Sequence, residues 1–339
     1  LTITKDEQVQ QNLVLLDKLA LMPDAKPELQ NMVAHGYLVK KNNPQAARFL
    51  MMVYAKTPKV LETDKDAILS LNAEKQYPPV ATLAPKFLAA NATDKEVRAA
   101  QVEAYLALGK SGTELREALK GLSDNYHEAS VKHLLKLSEL DLQAKDTAAA
   151  LAHSKEYADA NAKSLDGWRF VYPLAKDRKG EEEAYRKSLE ALSALDTAQR
   201  TRFDRELVGV YFQNEKYDDA RNVLQRELKK NPRDADFLFR SAEVASKQQK
   251  DSLAAAHYAK AYEVEPGNAV YARSFGKTVK APEAVKNNLS LWKFLATRQP
   301  TQDEKLKLAQ SEFMNADYVG ASREWDGLLT GNDNLRSDP

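Results

Sequence analysis

Five histidines, His35, His127, His133, His153 and His257, are the side chains best suited to metal ligation or proton transfer near neutral pH. No two of them stand at the i, i+4 spacing that places both imidazoles on one helix face, and no His-Glu-x-x-His run occurs. His127 and His133 lie six apart and so point to different faces. The sequence holds no Gly-rich phosphate loop and no Gly-x-Ser-x-Gly elbow. With no cysteine, thiol nucleophiles, disulfides, iron–sulfur clusters and thiolate zinc sites are excluded. The carboxylates Glu181-Glu182-Glu183 open a helical stretch, where negative charge favours the helix dipole without any catalytic role. The expectation is a protein that is not an enzyme and holds neither cofactor nor metal.

Another kind of chemistry has more support, the recognition of an anion. Arg273, Lys277 and Lys280 occur with no acid between Ala269 and Ala281. On a helix, their spacings of 4 and 3 put all three on one face. Such a strip suits an acidic peptide, a C-terminal carboxylate or an anionic polymer. The competing reading is a solvated helix face.

The elements that would carry these residues are helices. Glycine (12) and proline (13) are scarce in 339 residues, whereas strand-rich folds need turn residues every few positions. Alanine, leucine, lysine and glutamate dominate, and all favour helix. A chain this long exceeds the usual reach of one core, so it forms either two domains or a repeat array. Fifty basic against 49 acidic residues give a formal charge of +1, which draws the chain neither to nucleic acid nor to an anionic membrane face. No apolar run approaches membrane-spanning length, and Phe49–Ala55 is among the longest. The chain opens Leu1-Thr2-Ile3-Thr4 without methionine, which fits a cleaved leader or a piece of a longer protein.

The prolines give a period. Pro232, Pro266 and Pro300 are each 34 residues apart and each ends a helical run. Within Thr201–Asp234 the pattern is carried by Leu207, Tyr211, Tyr217, Ala220, Leu224 and Pro232, and in the next period by Leu238, Ala242, Ala254, Tyr258, Ala261 and Pro266. A third period is weaker, with Gly276 and Trp292, and the last carries Asn315-Ala316-Asp317-Tyr318, Ala321 and Trp325. Upstream, Trp168 and Ala184 keep the same internal spacing of 16, and Lys145–Ala150 forms another inter-helix turn. Tyr37, Asn43–Ala46 and Pro58 repeat the layout near the start. From about 59 to 125 the pattern is poor, with breaks expected at Pro78-Pro79, Pro85 and Lys110–Gly112.

This length and these side chains resemble the tetratricopeptide repeat (TPR). The resemblance is clearest over 201–330, weaker over 126–200, and before that rests on helical periodicity. It implies an all-α, right-handed TPR-like solenoid of about nine helix–turn–helix units after an N-terminal helix near Asp6–Leu21. The expected organisation is degenerate repeats over 1–125, units near 126–160, 161–200, 201–234, 235–268, 269–302 and 303–332, and a polar tail over 333–339. A compact bundle is the rival for the first 125 residues.

The resemblance also implies a non-catalytic protein-interaction scaffold, with a concave groove lined by the first helix of each unit. In the TPR register the groove residues are Arg202, Arg205, Phe212, Phe239, Arg273, Lys277, Lys280 and Lys307. The three tryptophans are core wedges instead. The two-carboxylate clamp of chaperone-binding TPRs is not matched, because Gly209 stands at its asparagine position and Asp236 at a cation position. The expected partner is a protein or peptide, with acidic segments favoured. The alternatives are a spacer or self-assembly module, favoured if the Leu306–Phe313 helix exposes apolar residues, and a binder of an anionic polysaccharide. Bacterial polysaccharide exporters carry arrays of this kind, which points to a periplasmic or exported setting.

Overall fold

Helices fill residues 5–57 and 64–330, which the computed structural model describes, and no strand occurs among them. Pro58, the opening Leu1–Thr4 and the polar tail lie outside the described residues. The N-terminal helix is two pieces, α1 (Lys5–Gln11) and α2 (Leu13–Ala20), divided at Asn12. Pairs follow: α3 (Pro27–Val39) with α4 (Asn43–Lys56), α5 (Lys65–Ala73) with α6 (Tyr77–Ala90), and α7 (Lys95–Ala107) with α8 (Gly112–Asn125). A short α9 (His127–Ser130) and one 3-10 turn lead into α10 (Leu134–Gln143), which pairs with α11 (Thr147–Ala160). Then come α12 (Leu165–Ala175) with α13 (Glu182–Leu195), α14 (Arg200–Gln213) with α15 (Tyr217–Lys230), and α16 (Ala235–Lys247) with α17 (Asp251–Val264). In the next pair α18 (Ala269–Thr278) faces a split partner, α19 (Pro282–Asn287) and α20 (Leu289–Ala296). The last pair is α21 (Gln302–Met314) and α22 (Tyr318–Thr330), which makes nine pairs among the described residues. The chain forms two compact units, Leu1–Ser188 and Leu189–Pro339, divided within α13.

The turn inside most pairs follows one rule. In seven pairs the first helix ends in a residue with φ between 55° and 66°: Lys41, Lys75, Gly109, Lys145, Glu215, Gln249 and Ala316. The N–H that follows each donates to the carbonyl five residues back at 2.8–2.9 Å, as in Asn42 to Tyr37 and Lys216 to Tyr211. This is the Schellman ending, which satisfies an orphan helix carbonyl while reversing the chain. Lys41, Lys75 and Gly109 are 34 apart, so the period is regular where the side-chain pattern is poor.

In five of these pairs the second helix starts two residues past the left-handed residue and carries an alanine five past it. Ala46, Ala150, Ala220 and Ala321 are fully buried, and Ala254 nearly so. The surrounding core is apolar, with Leu207, Leu224, Leu238, Ala242 and Ala261 all buried. Trp292 is buried with its indole N–H donating to the Val285 carbonyl at 3.0 Å. A Cβ at Gly276 would stand 3.1 Å from the Trp292 ring, so any larger side chain there would press on the indole. Trp168 is likewise buried, whereas Trp325 is only half-buried, against Phe313.

The breaks expected before residue 125 fall differently. Pro78 and Pro79 stand in the first turn of α6, where the missing N–H would be unpaired anyway, and Pro85 lies inside α6 without ending it. Only Lys110–Gly112 separates helices.

Ala220→Leu is expected to destabilise the protein by about 1–3 kcal/mol through overpacking. Asn222→Leu, on the exposed side of the same helix, should stay within about 0.5 kcal/mol of wild type. Urea midpoints of the two variants check this.

Candidate functional site

Polar side chains at the start of each pair first serve the fold. Asp94 and Asp234 cap α7 and α16 by accepting from the N–H groups of Val97 and Phe237. A basic side chain 29 residues earlier meets each capping acid: Lys65 with Asp94 at 2.9 Å and Arg205 with Asp234 at 2.6 Å. His35 stands in the same relation to Asp64, the cap of α5, at 3.8 Å. Burial pushes the Asp94 carboxyl up, but the Val97 N–H and the Lys65 ammonium outweigh it and hold the group below the usual range.

Three of the cations that the TPR register assigns to a groove are engaged in contacts between neighbouring pairs. Arg205 also stacks 4.9 Å from the Phe237 ring. Arg273 donates to the carbonyls of Arg298 and Gln299 and lies 3.4 Å from Glu304, the third residue of α21. Lys307 is mostly buried, donates to the Gly276 carbonyl near the end of α18 at 3.2 Å, and pairs with Asp303 at 2.9 Å. Its ammonium lies 5.2 Å from the Trp292 ring. Arg202 is exposed and donates to the Gln199 side chain at 3.2 Å. Phe212 is half-buried, edge-on to Tyr217 at 5.7 Å.

Lys277 and Lys280 differ from these. Both are exposed, and neither has a hydrogen bond or ion pair among the described residues. Lys277 keeps the α18 face of Arg273, four residues on, but Lys280 does not share it as the spacing suggests. α18 stops at Thr278, Val279 is extended and buried, and Lys280 follows in the connection to α19. Pro282 explains the early stop, since it opens α19 and holds the preceding Ala281 out of helical geometry.

The two lysines instead line a cleft of about 520 Å³ formed by the end of α16, the start of α17 and the end of α18. Ser246, Ser252, Ser274 and Thr278 bring hydroxyls to it, and Asp251 is its one acid. Tyr258 forms part of the wall, backed by Phe239 at 5.5 Å, which in turn lies 4.9 Å from Tyr271. Burial, and then the Glu243 carboxylate, raise the Tyr258 phenol, so it stays a neutral hydroxyl. Glu243 is itself pushed up by burial, with Arg240 opposing. The arrangement offers ammonium groups and hydroxyls around an aromatic wall, the chemistry of anion and peptide recognition. In the sequence Tyr258 stands as a repeat residue, and no pattern marks the serines. The usable signal was the start of α17 at Lys250-Asp251-Ser252, which has no side-chain cap.

Outside this cleft, no cluster of histidine and acid among the described residues has metal-binding geometry. No helix among them is long and apolar enough to cross a membrane.

The nine pairs and their turns define an all-α, TPR-like helix-pair protein. No protein-family model matches the chain, and no curated protein matches it either. Solved structures similar to it include MamA, at TM-score 0.37 and 18% identity over 56% of this chain and 94% of that one. A tetratricopeptide repeat protein from Parabacteroides merdae ATCC 43184 is similar at TM-score 0.31 and 14% identity, over 75% of this chain and 99% of its own. The human IFIT1 dimer with m7Gppp-AAAA is similar at TM-score 0.33 and 14% identity, over 97% of this chain and 83% of its own. These are likenesses at low identity, and the TPR-like class rests on this chain's own helix pairs.

Arg273→Glu and Lys307→Glu should each destabilise the protein by about 1–3 kcal/mol, because each loses hydrogen bonds that tie one pair to the next. Lys277→Glu and Lys280→Glu should stay within about 0.5 kcal/mol. Melting followed by circular dichroism separates the two classes.

Proposed function

We propose that the chain is a non-catalytic protein-interaction scaffold that receives an acidic segment of a partner protein in the α16–α18 cleft. The observation that carries this is the state of Lys277 and Lys280. Arg273 and Lys307 are held by carboxylates and carbonyls, while these two stand unpaired beside hydroxyls and Tyr258. Exposed lysines do nothing for folding there, and an acidic group placed between them gains two charge-assisted contacts. Phe239 supports the wall from behind, and Arg202 and Phe212 on α14 lie on the same helix series as further contacts.

A second reading, self-association, is favoured by the last pair. Leu306, Phe313, Met314, Tyr318 and Val319 are all exposed there, Val319 at 76%. Large exposed apolar groups in one place mark an interaction surface.

Wild type and Lys277→Glu/Lys280→Glu, shown to melt alike, are used as bait in source-cell extract, and captured proteins are quantified. The proposal expects a protein held by wild type and lost from the variant, with binding that weakens as salt rises. Identical captured sets would contradict it. An oligomer by analytical ultracentrifugation, with no captured protein, would favour self-association.

A further inference from the structure

A second concave surface lies on another side of α17. Leu228 of α15, Val244 and Ala245 of α16, and Leu253 and His257 of α17 enclose a groove of about 350 Å³. That volume is near the lower end of the range for ligand pockets, with room for one or two apolar side chains. Val244 and Ala245 form a buried floor, whereas Leu253 is 45% exposed at the edge. An apolar side chain held half in water gains when another covers it.

The rim is basic. Arg221 and Lys229 border the groove, and no aspartate or glutamate is among its lining residues. Asp218 of α15, which is not among the lining residues, is already engaged by Arg221 at 2.9 Å and by the Gln248 amide at 3.0 Å. Lys229 is exposed and has no ion pair. The imidazole of His257 is half-buried, and its Nδ1 is buried with no hydrogen-bond partner. An unpaired buried polar atom is costly, and a ring rotation toward a polar group of an occupant removes that cost. Burial, then Lys260, hold the His257 pKa below its usual value, so the ring is neutral at neutral pH.

We infer that this groove is a second docking surface, and that its occupant is a segment of a partner protein with a bulky apolar anchor flanked by acidic residues. The anchor covers Leu253 and enters against Val244 and Ala245, and the flanking carboxylates meet Lys229 and Arg221. The inference is independent of the α16–α18 cleft, which uses other faces of the same helices.

The test uses the full chain and a phage-displayed library of random peptides. Peptides enriched on wild type are resynthesised with a fluorescent label and titrated by anisotropy against wild type, Leu253→Asp, Lys229→Glu and Lys277→Glu/Lys280→Glu. Leu253 and Lys229 are exposed, so these variants should keep the wild-type melting curve. Enriched peptides should share a leucine, phenylalanine or other large apolar residue beside aspartate or glutamate. Their affinity should fall about tenfold in Leu253→Asp and several-fold in Lys229→Glu, and hold steady in Lys277→Glu/Lys280→Glu. Three outcomes would overturn the inference: enrichment without that pattern, binding indifferent to Leu253→Asp, or binding lost only in the Lys277→Glu/Lys280→Glu variant.

Discussion

The left-handed residue that ends the first helix of a pair is the constraint on which the rest depends. One residue with φ near 60° turns the chain back, and the N–H behind it closes on the carbonyl five residues earlier. That bond fixes where the second helix starts. The start fixes which of its residues face inward, and five past the turn a buried alanine stands at 46, 150, 220, 254 and 321. Six of the seven left-handed residues are not glycine, so the chain accepts a local conformational cost of about 1 kcal/mol at each. Core burial on both sides of the turn outweighs that cost.

Charge follows from the same geometry. With pairs repeated at a constant spacing, a basic residue on one first helix falls beside the capping acid of the next, 29 residues on. Arg205 and Lys65 are held in this way, and Arg273 and Lys307 make equivalent ties to α21 and from α21 to α18. Exposed ion pairs contribute little singly, but these also satisfy caps and helix-end carbonyls. What the fold does not engage then becomes informative. In the Leu189–Pro339 unit the unengaged groups include Lys277 and Lys280 at one cleft and Lys229, Leu253 and His257 at another.

Much of the architecture is legible in the sequence. Proline spacing and the buried alanines gave the helix pairs, and apolar periodicity gave the N-terminal helix. The early pairs were harder to see because their period is carried by backbone conformation. Lys41 and Lys75 hold the turn that glycine would have announced, and only Gly109 announces it. Pro78 and Pro79 looked like breaks because a proline that opens a helix and one that ends it have the same local sequence. The candidate site was less legible. Its cations were visible, but whether a lysine is spent on a carbonyl in the next pair depends on contacts 25 to 31 residues away. The early end of α18, which separates Lys280 from Arg273, was written in Pro282 and could have been read there.

The turn itself can be tested at one position. Glu215 has φ of 57°, side chain exposed, between α14 and α15. Replacing it with glycine removes the Cβ penalty of the left-handed region and leaves every packed residue in place. Urea denaturation of Glu215→Gly should show stability raised by about 0.5–1 kcal/mol, with Glu215→Val lowered by a similar amount. A glycine variant less stable than wild type would mean that the turn is not left-handed in solution, and the account of how the pairs are set would fail with it.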